Sequence, residues 1–311
     1  MIVQNTMEFV SLNWPGIIMA SSSHGDCSAL IVSSLETPFT LIRPATSRRS
    51  RVIVTSPHSG RQYPSRFIEQ SALQLDDLRQ VEDAGVDRLL AFQPLPCPIM
   101  LAEFPRSFVD LNRDAGEIDH AMFDGPVNSL DQLQSRYLRW GLGVIPSKAA
   151  NQQNIYSALL PAEEANDRLD HYYTPFHGEL GRLLNNASRG GDALLIDCHS
   201  MPSRLPGLNA DIVIGSDYGK SADADIVREA KVFFEREGLK VALNSPFAGG
   251  HITRHYGKPG AGVSAIQVEI CRSLYLDENR VRLKSGWQDI ASTLCRFIMR
   301  MDARMEGSAN P

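Results

Sequence analysis

The chain has 311 residues, a length that a prior of roughly 150 residues per domain assigns to one large domain or two small ones. Its composition, 43% hydrophobic, 22% charged and 7% aromatic, is that of a soluble globular protein and excludes a collagen-like, low-complexity or wholly disordered chain. A formal net charge of −5 offers no basic field for a phosphate backbone, so nucleic acid is not an expected partner.

Residues 1–36 show weak periodicity with several Ser and Gly, and read as a poorly ordered N-terminal extension, or as a start placed upstream of Met7 or Met19. No Lys or Arg occurs before Arg43, so a secretory signal would lack its charged leading segment. Asn13, Pro15, Ser21–Ser23 and Asp26 interrupt the only stretch apolar enough to raise the question of a membrane span, and no membrane association is expected. From residue 37 to 305 short β-branched runs alternate with segments of helical period. That pattern predicts a single α/β domain with a mixed or parallel sheet covered by helices, ending in a polar tail at 306–311. The expected strands are Phe39–Ile42, Val52–Ser56, Ile99–Ala102, Ala193–Asp197, Asp211–Ile214, Lys240–Leu243 and Val263–Ile270. Helices are expected over Leu75–Phe92, Ala162–Asn186, Ala222–Glu237 and Asp277–Met305. In the second of these Leu169, Tyr172, Tyr173, Phe176, Leu180, Leu183 and Leu184 form one buried stripe. The five cysteines are widely spaced without a CxxC pair, which fits neither a disulfide framework nor a cysteine zinc site and points to the reducing cytoplasm.

In open α/β sheets ligands bind beyond the carboxyl ends of the strands, so polar residues that follow an apolar strand come first. Val52–Ser56 runs into Pro57-His58-Ser59-Gly60, Ala193–Ile196 runs into Asp197-Cys198-His199-Ser200, and Val263–Val268 leads to Glu269. A lone strand-end histidine is commonly structural; two in the same environment, with the Glu82-Asp83 pair between them in sequence, make the two-His, one-carboxylate set of catalytic zinc hydrolases. Glu82, Asp83 and Asp87 read equally well as a solvated helix face. Asp197 shares a strand face with His199 and suits an acceptor for its second ring nitrogen, whereas Cys198 faces the other way. Arg106 and the Asn112-Arg113 pair can present forked donors to a carboxylate. Gly249-Gly250 lets backbone approach a ligand, with His251, Arg254 and His255 as neighbours; the flanking residues argue against a helix there. There is no HExxH, GxSxG, Walker A or GxGxxG sequence. His171 and His177 fit packing or surface hydrogen bonds.

Taken in order, Ser56-Pro57-His58-Ser59-Gly60, Glu82-Asp83 with Val86-Asp87-Arg88-Leu89, Arg106 to Arg113, Asp197-Cys198-His199-Ser200, Phe247 to Gly257 and Gln267-Val268-Glu269 resemble the N-formylglutamate amidohydrolase (deformylase) family. The resemblance spans about residues 50–280. It implies a central mixed β-sheet flanked by helices, similar to zinc carboxypeptidases and aspartoacylases, and one zinc held by His58, Asp83 and His199. Asp83 is preferred to Glu82 because it holds the place of the family's acidic residue four before the Asp of Val-Asp-Arg-Leu. Glu269 is then the expected general base and Arg106 the cation at the developing oxyanion, while Asn112, Arg113, Arg254, Gly249 and Gly250 bind the amino-acid part. The implied reaction converts N-formyl-L-glutamate to formate and L-glutamate, a step of histidine degradation by the family name. Another N-acyl amino acid as substrate, or a relative that binds a metal or carboxylate without turnover, stays open at this point.

Overall fold

The computed structural model describes residues 27–44, 49–127, 133–149 and 152–307. Its strands are β1 (Leu30–Val32), β2 (Phe39–Ile42), β3 (Val52–Ser56), β4 (Gln62–Pro64), β5 (Ile99–Ala102), β6 (Ala193–Met201), β7 (Ile212–Gly215), β8 (Val241–Leu243), β9 (Val263–Cys271), β10 (Leu276–Asp277) and β11 (Arg282–Leu283). Seven of them form one sheet in the order β2-β5-β3-β6-β9-β7-β8. The central run β5-β3-β6-β9 is parallel, while β2 against β5 and β7 against β9 are antiparallel. This is the mixed, helix-flanked sheet that the alternation of elements predicts.

The side-chain period of two explains where the site lies. Val52 and Val54 of β3, Leu194, Ile196 and Cys198 of β6, and Ile266, Val268 and Ile270 of β9 join one apolar cluster with Leu89, Phe234, Leu294 and Phe297 of the helices beneath. On the opposite face Ile53, Leu195 and Ala265 pack against Phe176, Leu180 and Leu183 of the helix Thr174–Ser188. Toward the carboxyl ends of the same strands that second face turns polar, with Thr55, Asp197, His199, Gln267 and Glu269 all buried. Burying a Leu or Phe side chain contributes roughly 1.5–3 kcal/mol, whereas a buried polar group costs stability unless it is hydrogen-bonded. The apolar face therefore holds the sheet together, and the polar end of the other face persists only because its groups satisfy one another.

Several elements differ from expectation. Leu75–Phe92 is not one helix but two, Leu75–Arg79 and Val86–Leu90. Between them the Asp83 N–H donates to His58 O at 2.9 Å, Arg272 Nη2 donates to Glu82 O at 2.7 Å, and Gly85 takes a left-handed φ of 83°. Tertiary partners thus capture backbone groups that a helix would have used, and Glu82 and Asp83 are buried rather than on a solvated face. The last helix runs over Trp287–Gly307 instead of Asp277–Met305, because residues 276–283 form the β10–β11 hairpin; of the expected tail, residues 308–311 lie outside the described residues. The Gly249-Gly250 segment leads into a short helix, His251–Tyr256, where a helix was not expected. Residues 1–26 of the expected extension, Met7 and Met19 included, lie outside the described residues. Its remainder is tied to the body: β1 pairs in parallel with β4, Cys27 is buried, and Arg79 Nη2 donates to the Cys27 carbonyl. Among the described residues no helix is long and apolar enough to cross a membrane.

Candidate metal centre and active site

His58 sits in the turn after β3, Asp83 in the break between the two short helices, and His199 near the end of β6. They come together so that their candidate ligand atoms lie within 4.8 Å of one another. Asp83 Oδ2 is 3.0 Å from His199 Nδ1 and 3.5 Å from His58 Nδ1. The other end of each group is anchored. His58 Nε2 meets Asp110 Oδ1 at 2.8 Å and His199 Nε2 meets Asp197 Oδ2 at 2.9 Å, and Thr55 Oγ1 donates to Asp197 Oδ1 at 2.8 Å. Ser200 Oγ donates to Asp83 Oδ1 at 3.1 Å, with Arg272 Nη2 3.4 Å from the same oxygen.

An ionised carboxylate only accepts, so Asp110 and Asp197 fix the imidazole protons on Nε2 and turn both Nδ1 lone pairs toward Asp83. Three acceptors then face a common point, and only a proton or a cation between them relieves that arrangement. His58 Nδ1 is buried and has no hydrogen-bond partner among the described residues. The donor set therefore fits a divalent cation. Burial by itself would raise the Asp83 carboxyl, yet a proton shared with His199 Nδ1, 3.0 Å from Asp83 Oδ2, holds it well below the usual range. Burial would likewise lower His199, but the charge and hydrogen bond of Asp197 push it well above its ordinary value. That proton is the one a bound cation displaces.

Glu269 stands beside His199 in the β6–β9 register and accepts from Gln267 Nε2 at 2.6 Å. Burial pushes its carboxyl up to about 7, with the His199 charge opposing and the Asp83 charge adding to the rise. Arg106 Nη2 pairs with Asp110 Oδ2 at 2.7 Å, and its charge acts on Asp83 and Glu269. Arg106 and His58 thus share one buried carboxylate, which burial would raise but the Arg106 charge holds well below the usual range.

The expected substrate-binding residues border this group. Asn112 Oδ1 accepts from Ile252 N at 2.8 Å. Gly250 N donates to Gln267 Oε1 at 2.8 Å, and a Cβ on Gly250 would overlap the Asn112 amide. Arg113 Nε donates to Leu142 O at 2.9 Å and Nη1 to Asn112 O at 3.0 Å, with its guanidinium 4.0 Å from the Tyr137 ring centroid. It makes no ion pair with Asp110, which Arg106 and His58 occupy. The exposed Arg254 donates to Gly249 O at 3.1 Å.

Other candidates lie apart from the three-residue centre. Glu82 accepts from Tyr63 at 2.6 Å and pairs with Arg79 at 3.2 Å. His251 and His255 stack at 5.0 Å and belong to no metal-holding group among the described residues. Cys198 lies in the apolar cluster on the opposite face. Sequence reasoning missed Asp110 as the partner of both His58 and Arg106; its signal is a carboxylate enclosed in the apolar run Phe108-Val109-Asp110-Leu111. It also missed Ser200 and Arg272, which hold Asp83.

The profile of the N-formylglutamate amidohydrolase family matches residues 50–276, a span that contains every candidate site residue. The N-formylglutamate deformylase of Pseudomonas putida is 29% identical over 242 residues, covering 74% of this chain and 83% of that protein. The N-formylglutamate deformylase of Pseudomonas aeruginosa is 31% identical over 244 residues, covering 74% and 85%. The crystal structure of N-formylglutamate amidohydrolase from Ralstonia eutropha JMP134 superposes with a TM-score of 0.82 at 28% identity, over 88% of this chain and 99% of that one.

Proposed function

The chain belongs to the N-formylglutamate amidohydrolase family, and on that premise we propose that it is a zinc-dependent amidohydrolase that cleaves N-formyl-L-glutamate to formate and L-glutamate. The observation that carries this reading is the convergence of His58 Nδ1, His199 Nδ1 and Asp83 Oδ2 with every opposite atom already held. Two nitrogens and one carboxylate oxygen are the protein ligands of a catalytic zinc that keeps an open position. Zinc bound there would polarise the formyl carbonyl and bring the pKa of a water to about 7.

The chain's own residues supply the rest. Glu269 takes the proton of the attacking water on its carboxylate and returns it to the glutamate nitrogen as the C–N bond breaks, so that formate and a free amine depart. Its burial supports this role, because it raises the proton affinity of the carboxylate that must take the proton. Arg106, fixed by Asp110, faces the negative charge that develops on the formyl oxygen. Arg113 and Arg254, with Asn112 and the backbone at Gly249 and Gly250, hold the two substrate carboxylates. Five free, buried cysteines suit a reducing cytoplasm.

The test is release of the free amino acid from a panel of N-formyl, N-acetyl and longer N-acyl derivatives of glutamate and aspartate with zinc-loaded protein. N-formyl-L-glutamate is expected to have the highest kcat/KM. A higher value for a longer acyl group would move the assignment to another N-acyl amino acid, and absence of turnover across the panel would contradict it.

A further inference from the structure

The irregular strap Phe108–Arg113 carries both the oxyanion-side anchor Asp110 and the Asn112-Arg113 pair, so its backbone must be held. Three of its carbonyls receive a side-chain donor from one helix. Arg168 Nη1 donates to Phe108 O at 3.2 Å, the Tyr173 hydroxyl to Arg113 O at 2.8 Å, and His177 Nε2 to Leu111 O at 3.0 Å. Carbonyls only accept, so each contact fixes a proton: His177 carries its own on Nε2, and the Tyr256 hydroxyl, 3.0 Å from His177 Nδ1, donates its proton to His177 O at 3.0 Å. Tyr173, having donated its proton to Arg113 O, accepts from His251 Nε2 at 3.3 Å.

A regular α-helix could not do this. Residues five apart lie about 140° from each other around an α-helix, so Arg168 and Tyr173 would not meet the same strap. Leu169–Tyr173 is instead a turn of π-helix, whose i→i+5 repeat stacks residues five apart on one face. His177, four residues beyond Tyr173 in the regular helix that follows, stays on that face. We propose that Tyr173 and His177 are positioning residues: they hold the backbone before and after the Asn112-Arg113 pair, and the π-helical turn exists to bring them there. The inference rests on the reading of Arg113 as a holder of a substrate carboxylate.

Tyr173→Phe keeps the ring and removes the hydroxyl that donates to Arg113 O and accepts from His251 Nε2. It should raise KM for N-formyl-L-glutamate about three- to tenfold, the effect of one lost hydrogen bond, with kcat within about twofold and a thermal melt lowered by no more than a few degrees. Calorimetric binding of L-glutamate should weaken by a similar factor. On an Arg113→Lys background the same change should add less than about twofold, because the group it positions is already altered. Should Tyr173→Phe melt early, His177→Phe removes the second carbonyl contact and should give the same KM pattern. Full additivity with Arg113→Lys, or a loss confined to kcat, would overturn the inference while leaving the carboxylate reading intact. An unchanged KM in Arg113→Lys itself would overturn that reading, and the positioning role with it.

Discussion

Asp110 offers the sharpest single perturbation of the centre, because its two oxygens serve different masters. Oδ1 accepts from His58 Nε2 at 2.8 Å and from Asn112 N at 2.9 Å, and Oδ2 accepts from Arg106 Nη2 at 2.7 Å. Asp110→Asn keeps the shape but offers one acceptor oxygen and one NH2 donor. With the amide oxygen toward His58, the NH2 group points at the Arg106 guanidinium; with the opposite orientation it points at His58 Nε2 and at Asn112 N, and releases the tautomer that turns Nδ1 toward Asp83. Either arrangement sets donor against donor and removes a buried negative charge. Losing such a carboxylate–histidine contact lowers metal affinity about 10- to 100-fold. Competition against a chromophoric chelator should show zinc binding weakened by that factor, with kcat/KM falling further because Arg106 also loses its anchor. Unchanged zinc affinity, within about twofold, would mean that His58 does not ligand the metal through the nitrogen opposite Asp110.

Glu269→Gln removes the proton acceptor while keeping the Gln267 contact geometry, so turnover should fall at least about 100-fold with zinc still bound; near-normal turnover would assign the base elsewhere. A base works when deprotonated, so wild-type kcat/KM should be lost as pH falls through the Glu269 pKa. Burial places that group at about 7, and a bound cation can only lower it, so an acidic limb centred well above 7 would contradict the assignment. Arg168 is the largest fully buried side chain among the described residues and pairs with Glu164 at 3.0 Å. Arg168→Met strands a buried carboxylate that Arg66 still reaches at 2.9 Å, and should cost toward the lower end of about 3–5 kcal/mol in denaturant unfolding; a loss under 1 kcal/mol would show that the pair contributes no net stability.

The strand ends that place His58, His199 and Glu269 are legible in the sequence because a polar residue at the carboxyl end of a β-branched run has few other structural explanations. The third ligand is less so. Glu82-Asp83 lies inside a window whose apolar period continues from Leu75 to Leu90, and nothing local reveals that His58 O and Arg272 interrupt the helix. Asp110 is hidden for a different reason: its partners lie 52 residues back and four residues back, and only the fold brings the first of them near. The π-helical turn leaves no mark, since Leu169, Tyr172, Tyr173 and Phe176 fall at the i, i+3, i+4 and i+7 positions of an ordinary α-helical face. The hairpin at 276–283 was absorbed into the final helix because its strands are only two residues each.

Zinc held by His58, Asp83 and His199 is expected to enable hydrolysis of N-formyl-L-glutamate. The most direct measurement is formate release by protein stripped of metal with a chelator, dialysed, and titrated with zinc. Activity should be absent in the stripped protein and should rise linearly to a plateau at about one zinc per chain. Full turnover by protein verified free of metal would contradict it.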